Sequence, residues 1–203
     1  MDDAVIHDLD QSLEVLLKRE LASFGRDRVE VSFAAPDDRF TAKPPAVDLF
    51  LYDIRENTDL RGNDDVVERT GDREFTRYRS PVRVDVSYLI TAWPGGGQNH
   101  DSSQDEHRLL GAVMSALLRH RSLPRDVLRG ALADQTLPVP VSVLHPGRLQ
   151  SLGEFWQALG GKPKAALNYT VTMCVDVFAA EKIHAVVDKE IRVNLSDRPL
   201  SRN

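Results

Sequence analysis

The stretch "PVRVDVSYLITAW" (residues 81–93) decides the fold of this chain, because apolar side chains alternate along most of it. One parity is apolar, with Val82, Val84, Val86, Tyr88 and Ile90, and the other begins polar, with Arg83, Asp85 and Ser87. Successive side chains of a β-strand point to opposite faces of its sheet. The pattern therefore predicts a strand that buries one face in the core and exposes the start of the other.

Other stretches carry the same period and predict further strands: "VEVSFA" (29–34), "AVDLFLYDIRE" (46–56), "LNYTVTMCVDV" (167–177) and, in the tail, "AVVDKEIRVNL" (185–195). The stretch "LPVPVSVLHP" (137–146) differs, because Pro138 and Pro140 cannot donate hydrogen bonds to a neighbouring strand. Proline within sheets is confined to edge strands for that reason. We therefore expect this strand at an edge of the sheet.

Two stretches have the three- and four-residue apolar spacing of a long helix. The first runs from Val5 to Leu21, with Asp2 or Asp3 available as a cap and Gly25 placed to stop it. The second opens with Ser103 and Glu106, a capping-box pattern, and continues to Leu118. Shorter helices are predicted after Pro124, with a stop near Gly130, and after the second capping box of Ser151 and Glu154.

These elements predict an α/β (α+β) fold in which a mostly antiparallel or mixed sheet is covered by two long helices plus short helices. Residues 1–180 would form a single domain, and residues 181–203 would form a C-terminal extension. Residues 57–72 are polar, contain two glycines and have no period, so they predict a long exposed loop.

The composition excludes several classes of protein. A formal net charge of −5 gives no general attraction to nucleic acid or to anionic membranes, and no apolar run is long enough to span a bilayer. The N-terminus lacks the basic start of a secretory signal, so we expect a cytoplasmic protein. A single cysteine, Cys174, excludes an internal disulfide framework.

No motif in the chain predicts a reacting centre. The glycines at 95–97 lack the lysine and the spacing of a phosphate-binding loop, and no two of the six histidines have the helical spacing of a metal site. Cys174 lies within a strand with nothing to stabilise its thiolate, and no nucleophile elbow is present. We therefore expect no catalytic residue, no cofactor-binding residue, no cofactor and no metal.

A candidate partner surface lies in "DREFTRYRSPVRVD" (72–85), where Arg77, Arg79 and Arg83 share one parity of an extended chain. Arginine interleaved with aromatic residues is enriched in protein interfaces. The same arginines could equally form a solvated strand face that pairs with nearby aspartates. Trp93, which ends the strand, is a further candidate for an interface anchor, whereas the helical spacing around Trp156 predicts a core residue.

Three stretches together resemble one family: "VDLFLYDIREN", "SYLITAW" with "DEHRLLGAVMSALLRH", and "PVSVLHPGRLQSLGEFWQALGGKPKAALNYTVTMCVDVF". They look like the cap, or terminator, protein of extracellular contractile injection systems, which are phage-tail-like particles. The resemblance covers residues 4–180, and residues 152–163 are its most specific part. The fold implied is that of a tail terminator.

The resemblance implies a structural role and no enzymatic activity. Members of the family form a hexameric ring on the end of the inner tube distal to the baseplate and stop the growth of tube and sheath. The partners implied are further copies of the chain, the inner tube protein and the sheath protein, with no nucleic acid and no membrane. The proline-containing edge strand and the loop at 57–72 are candidate contact surfaces.

Two other interpretations stay open at this point. One is a small soluble enzyme whose site is built from scattered residues such as Asp48, Arg83 and His107, and its sign would be a deep pocket with a titrating pair. The other is a free-standing phage tail terminator, or an adaptor bound to another ring. A further hypothesis is that the extension from Glu181 adds as a strand to a neighbouring subunit.

Overall fold

The computed structural model describes most of the chain, namely residues 4–24, 28–36, 43, 45–62, 64–71, 74–94, 102–145, 151–160 and 162–184. The chain divides into two compact units. The first comprises Met1–Gly62 and Pro81–Val177, and the second comprises Asn63–Ser80 and Phe178–Asn203. The predicted boundary after residue 180 stays a prediction.

A five-stranded mixed sheet organises the first unit. Its strands are β1 (Glu30–Ser32), β2 (Ala46–Glu56), β5 (Val82–Trp93), β6 (Val141–Val143) and β7 (Ala166–Val175), and their order across the sheet is β1-β2-β5-β7-β6. The β1 and β2 strands are parallel, and every other pair in this sheet is antiparallel. The mixed sheet and the edge position of the proline-containing strand are therefore confirmed.

One face of this sheet is covered by the two long helices, α1 (Val5–Glu20) and α2 (Ser102–Leu118). The buried side chains of both helices join one core cluster with Val86, Tyr88 and Ile90, the apolar parity of β5. The alternation of β5 is thus confirmed as the pattern that builds the core. The caps predicted at Asp2 or Asp3 and the stop at Gly25 lie outside the described residues.

The opposite face is partly covered by the short helix α3 (Leu152–Ala158). The Ser151 hydroxyl accepts a hydrogen bond from the Glu154 amide at 3.2 Å, as the capping-box pattern predicts, and Gly160 follows the helix with φ of +68°. Phe155 stacks on Phe50 of β2 with ring centroids 5.8 Å apart. Trp156 is buried, so its prediction as a core residue is confirmed.

A β-bulge interrupts β2 at Tyr52. Leu51 pairs with Tyr88, but the next paired residue is Asp53, which lies opposite Ser87. The additional residue keeps Tyr52 and Asp53 on the same face of the sheet, because a bulge places two residues against one on the partner strand. The Tyr52 hydroxyl donates to the Asn168 amide oxygen on that face at 3.1 Å.

The segment after α2 is held to α1 by buried polar groups. Asp8 accepts a hydrogen bond from the Ala131 amide at 2.9 Å, and Ser12 accepts one from the Arg129 amide at 2.9 Å. This segment forms two 3₁₀ turns, Arg125–Val127 and Gly130–Leu132, where one or two turns of helix were predicted after Pro124. Gly130 starts the second turn with φ of +51°, a backbone conformation that prevents an unbroken helix.

The second unit contains a three-stranded antiparallel sheet with the order β3-β4-β8. Its strands are β3 (Val66–Arg69), β4 (Glu74–Tyr78) and β8 (Glu181–His184). Residues 57–72 were predicted as a loop without regular structure, and the strand β3 within them corrects that prediction. All four residues of β3 are exposed, so they lack the alternation of a half-buried strand that a sequence pattern can detect.

The extension begins as a strand of this same sheet. Residues 181–184 pair with β4 of their own chain, so their backbone groups need no neighbouring subunit. The stretch predicted as extended at 185–195 lies outside the described residues.

Candidate assembly surfaces

Arg77 lies on the central strand of the second unit and is engaged within it. Its guanidinium forms an ion pair with Glu181 of β8, and its Nε lies 3.6 Å from an oxygen of Asp65. The hydrogen bond and the charge of Glu181 raise the pKa of the Arg77 guanidinium above its ordinary value. Arg77 therefore ties β4 to β8.

Arg79 follows β4 and stacks on an exposed aromatic ring. Its guanidinium carbon lies 5.1 Å from the ring centroid of Phe178, which is 49% exposed. Tyr78, next to it, is also exposed. An arginine over an aromatic ring beside a second exposed aromatic residue is typical of a protein interface, because both groups contact partners with little loss of side-chain freedom.

Arg83 lies in the other unit, near the start of β5. The stripe predicted from one parity of Arg77, Arg79 and Arg83 is therefore divided between the two units. The reason is the interruption at Ser80 and Pro81, which ends β4 before β5 begins. The Arg83 side chain makes no hydrogen bond or ion pair with the part of the chain that the structure describes.

Trp93 is half-buried at the end of β5 and is held by its neighbours. The indole Nε1 donates to the Thr91 hydroxyl at 3.0 Å, and the Lys164 ammonium lies 4.6 Å from the ring centroid. Lys164 also pairs with Glu106 of α2 at 2.5 Å. The ring thus contacts β5 and the segment before β7 within this unit, and its role as an interface anchor stays a prediction.

A polar cleft of about 310 Å³ opens on the face of the sheet that α1 and α2 leave uncovered. Its lining contains three aspartates, one arginine, one histidine and several hydroxyl groups, namely Asp53, Asp59, Asp85, Arg55, His145, Ser87, Ser142, Thr170 and Thr172, with Tyr52 and Asn57. Most of these residues come from the end of β2, the start of β5 and the end of β7. This cleft was not predicted from the sequence, although the polar side chains on one parity of those strand ends were a signal for it.

The hydrogen bonds of the cleft hold its carboxylates in place. Asp85 accepts bonds from the Thr172 hydroxyl at 2.6 Å and from the Asn57 amide nitrogen at 3.1 Å. Asp53 forms an ion pair with Arg55 at 2.8 Å. Asp59, by contrast, is exposed and makes no hydrogen bond or ion pair within the described residues. The lining of the cleft contains three carboxylates and one guanidinium, so its net charge is negative.

The residues considered for an enzyme site do not come together. Asp48 pairs with Thr91 across the sheet, and Arg83 lies eight residues earlier on the same strand, a separation of about 27 Å at the usual rise per residue. His107 is exposed on α2. No pocket with a titrating pair can be built from these three residues.

Asp48 is nevertheless an unusual group. Its side chain is fully buried, and burial raises the pKa of the carboxyl group from 3.8 to about 7, although hydrogen bonds from Ser32 and from the Ala34 amide oppose the shift. One carboxyl oxygen accepts from the Ala34 amide at 3.0 Å, and the other has no hydrogen-bond partner in the described structure. This group bears on the stability of the fold.

The cysteine and the candidate metal ligands among the described residues form no reactive or metal site. Burial raises the pKa of the Cys174 thiol, which disfavours the reactive thiolate. Within the described ranges, no group of His, Cys, Asp and Glu side chains is arranged to hold a metal ion. None of the helices described there is both long and apolar enough to cross a membrane.

Comparisons with known proteins identify similar chains. Residues 8–188 match the family model of the Pvc16 N-terminal domain. No curated protein matches the chain.

Two solved structures share the fold. The cryo-EM structure of the PVC sheath/tube terminator of an extracellular contractile injection system, in its extended state, has 26% identity and a TM-score of 0.67, over 97% of this chain and 65% of that chain. The cryo-EM structure of the anti-feeding prophage cap, a tube terminating cap, has 25% identity and a TM-score of 0.59, over 89% of this chain and 60% of that chain. This chain thus spans less than two thirds of the length of either.

Proposed function

Because the chain belongs to the Pvc16 N-terminal domain family, we propose that it is a structural cap protein that terminates the inner tube and sheath of a contractile injection system. The observation that carries the proposal is the similarity to a sheath/tube terminator over 97% of this chain, at a TM-score of 0.67. The cap acts at the end of the particle distal to the baseplate. Its partners are the inner tube protein, the sheath protein and further copies of itself.

The proposed role requires no reacting centre. The two structural neighbours are a terminator and a cap, which supports a protein that is not an enzyme. The wide separation of Asp48 from Arg83 argues against an enzyme site built from these residues. The protein works by presenting surfaces, and it is assembled into the particle in the cytoplasm.

The cap is a hexameric ring in this proposal. A closed ring of identical subunits uses a heterologous contact, in which one surface of a subunit meets a different surface of its neighbour. Each subunit therefore needs two dissimilar faces. The first unit offers a helix-covered face and a partly open polar face, and the second unit offers the exposed edge strand β3.

The second unit is the proposed contact with the sheath or tube. Its exposed apolar side chains, Val66, Val67, Tyr78 and Phe178, are each 42% to 58% accessible. A three-stranded sheet that buries so little apolar surface gains little stability from its own packing. An exposed edge strand with apolar side chains is suited to pairing with another chain.

Electron microscopy of particles tests the proposal. A producing strain that lacks this gene should form sheaths that are absent or of uncontrolled length, and a plasmid copy of the gene should restore the uniform length. Particles of unchanged length and unchanged ends in the deletion strain would refute the terminator role.

A further inference from the structure

Two surfaces of the first unit carry opposite charge. The acidic cleft, lined by Asp53, Asp59 and Asp85, has one arginine, Arg55, among its lining residues to balance them. The second surface is the segment 119–129, called here the basic segment. It contains four arginines and one aspartate: Arg119, Arg121, Arg125, Arg129 and Asp126.

The basic segment presents arginine side chains to solvent. Arg119, Arg121 and Arg125 are exposed. Arg119 pairs with Glu20 at 2.5 Å, and Arg125 donates to the Thr136 carbonyl oxygen at 2.9 Å. The Arg121 side chain makes no hydrogen bond or ion pair in the part of the chain that the structure describes. Its charge is therefore available to a partner.

These two surfaces occupy different places on the first unit. The cleft residues Asp85 and Thr172 belong to the parity that points away from the core cluster, whereas Val84, Val86 and Met173 point toward α1 and α2. The basic segment follows α2 and packs beside α1, where Arg19 pairs with Asp126 at 2.6 Å. The acidic cleft is thus on the uncovered face of the sheet, whereas the basic segment lies beside α1 and next to the β6 edge, where the Val141 amide donates to the Arg121 carbonyl oxygen at 3.0 Å.

We propose that the acidic cleft of one subunit binds the basic segment of a second copy of this chain, with Arg121 entering the cleft near Asp59. This inference rests on the proposed ring and names the surfaces that form it. Charge complementarity between the acidic cleft and the basic segment of the same unit favours a second copy as the occupant. A contact between two different faces repeats at every subunit, and it closes into a ring when the rotation between neighbours permits.

The chemistry of the cleft suits an arginine. A guanidinium carries several donors in a planar fork, and the cleft offers carboxylate and hydroxyl oxygens as acceptors. Asp85 and Asp53 are held in position by Thr172 and Arg55, so their oxygens are ordered before a partner arrives. The contact should weaken as salt rises, because part of the attraction is between exposed charges.

A charge-swap experiment with the full chain tests the inference. Asp59→Arg alone and Arg121→Glu alone each place like charges at the proposed contact, so each should weaken self-association at least about tenfold. An equal mixture of the two variants should restore assembly. Where the two variants alternate, each contact joins either the native Asp59 to the native Arg121 or the introduced arginine to the introduced glutamate, and both pairs are complementary.

Light scattering and sedimentation of the purified proteins measure the outcome. Arg108→Glu is the matched control, because Arg108 is exposed on α2 and makes no ion pair in the described structure, and it should assemble like the wild type. Circular dichroism checks that each variant is folded. If a charge reversal does not fold, Arg121→Gln and Asp59→Asn remove the charges instead and should each weaken association.

Three results would overturn the inference: single variants that assemble like the wild type, a mixture that stays dissociated, or a wild-type chain that never self-associates. The terminator role is judged separately by sheath length in the deletion strain. A deletion that disturbs sheath length while Arg121→Glu assembles normally would leave the terminator role intact and refute this contact. A deletion without effect on the sheath, together with restoration by the mixed variants, would refute the role and support the contact.

Discussion

Tyr88 on β5 lies directly opposite Tyr169 on β7, and both side chains are fully buried, but their hydroxyl groups are in different situations. The Tyr88 hydroxyl donates to an Asp10 carboxylate oxygen of α1 at 2.7 Å. The Tyr169 hydroxyl has no hydrogen-bond partner among the described residues. Burial raises the pKa of both phenols well above the ordinary value, and the Asp10 charge adds to the effect for Tyr88.

We therefore expect different effects on stability when each tyrosine is replaced by phenylalanine. Tyr88→Phe should cost about 1–2 kcal/mol, because it leaves the half-buried Asp10 carboxylate without its donor. Tyr169→Phe should be neutral or stabilising by about 1 kcal/mol, because it removes a buried hydroxyl that has no partner. Urea unfolding at pH 7 measures both changes. Equal destabilisation by the two substitutions would contradict the assignment.

We expect any side chain introduced at Gly130 to destabilise the fold. A Cβ at this position would lie 2.1 Å from an Asp8 carboxylate oxygen, and the φ of +51° is strained for other residues. Gly130→Ala should cost about 3 kcal/mol, since it adds backbone strain of about 1–2 kcal/mol and displaces Asp8 from the Ala131 amide. Thermal and urea unfolding give the free energy.

Gly111 provides the matched control for that substitution. It lies within α2, and a Cβ there would meet nothing within 4 Å. Gly111→Ala should raise stability by about 0.5–1 kcal/mol, because alanine has the higher helix propensity. A stable Gly130→Ala protein would show that the Asp8 contact is dispensable.

We expect the free energy of unfolding to depend on pH through the titration of Asp48. Its folded pKa is about 7 and its ordinary value is 3.8, so the folded state holds the proton more tightly than the unfolded state. Stability should therefore fall as pH rises from about 4 to about 7, by at most about 4 kcal/mol from this group. The loss should level off above about pH 7, where both states are ionised.

Asp48→Asn should remove that dependence, because the amide does not titrate and its oxygen can still accept from the Ala34 amide. The measurement is the free energy of unfolding of both proteins at pH 5 and pH 8. The variant should gain stability relative to the wild type at pH 8. An identical pH profile for the two proteins would show that Asp48 is ionised without cost in the folded state.

We expect a short and a long truncation of the C-terminal extension to have different effects on hydrogen exchange in β4. Removal of residues 185–203 should leave the amide hydrogens of β4 protected, because β8 still pairs with them. Removal of residues 181–203 should expose one edge of β4 and raise hydrogen exchange at Phe75 and Arg77, because the Glu74 carbonyl oxygen accepts from the Thr70 amide on the β3 side and successive residues of a strand bond to opposite neighbours. Mass spectrometry of exchanged peptides distinguishes the two proteins.

The same truncations test the proposal that the extension contacts a neighbouring subunit. Loss of residues 185–203 should leave a folded chain that fails to set sheath length in the producing strain. Particles of normal length from the shorter chain would limit the role of the extension to the strand β8.

Much of the fold follows from local patterns. The strand at 46–56 was predicted with the bounds that the structure has, because the alternation of Val47, Leu49 and Leu51 begins directly after the prolines at 44 and 45. The Ser151 cap of α3 and the edge position of β6 were also predicted, since a capping box and a proline act on the residues beside them. By contrast, the exposed strand β3 has no period and was missed.

The candidate surfaces were harder to predict. Arg77 and Arg79 were grouped with Arg83 because they share a parity in the sequence. The structure assigns them to the second unit, and Arg77 forms an ion pair with Glu181, which lies 104 residues away along the chain. Alternation predicts which residues share a face only within one unbroken strand. The grouping of these arginines therefore fails where Pro81 separates β4 from β5.

The sequence by itself determined the long helices, the strands of the five-stranded sheet and which of their side chains enter the core, because helix period and strand alternation are properties of neighbouring residues. Only the tertiary structure decided the bulge at Tyr52, the acidic cleft and the unpartnered hydroxyl of Tyr169. Each of these depends on the register between strands far apart in the chain, and a shift of one residue would turn those side chains to the other face.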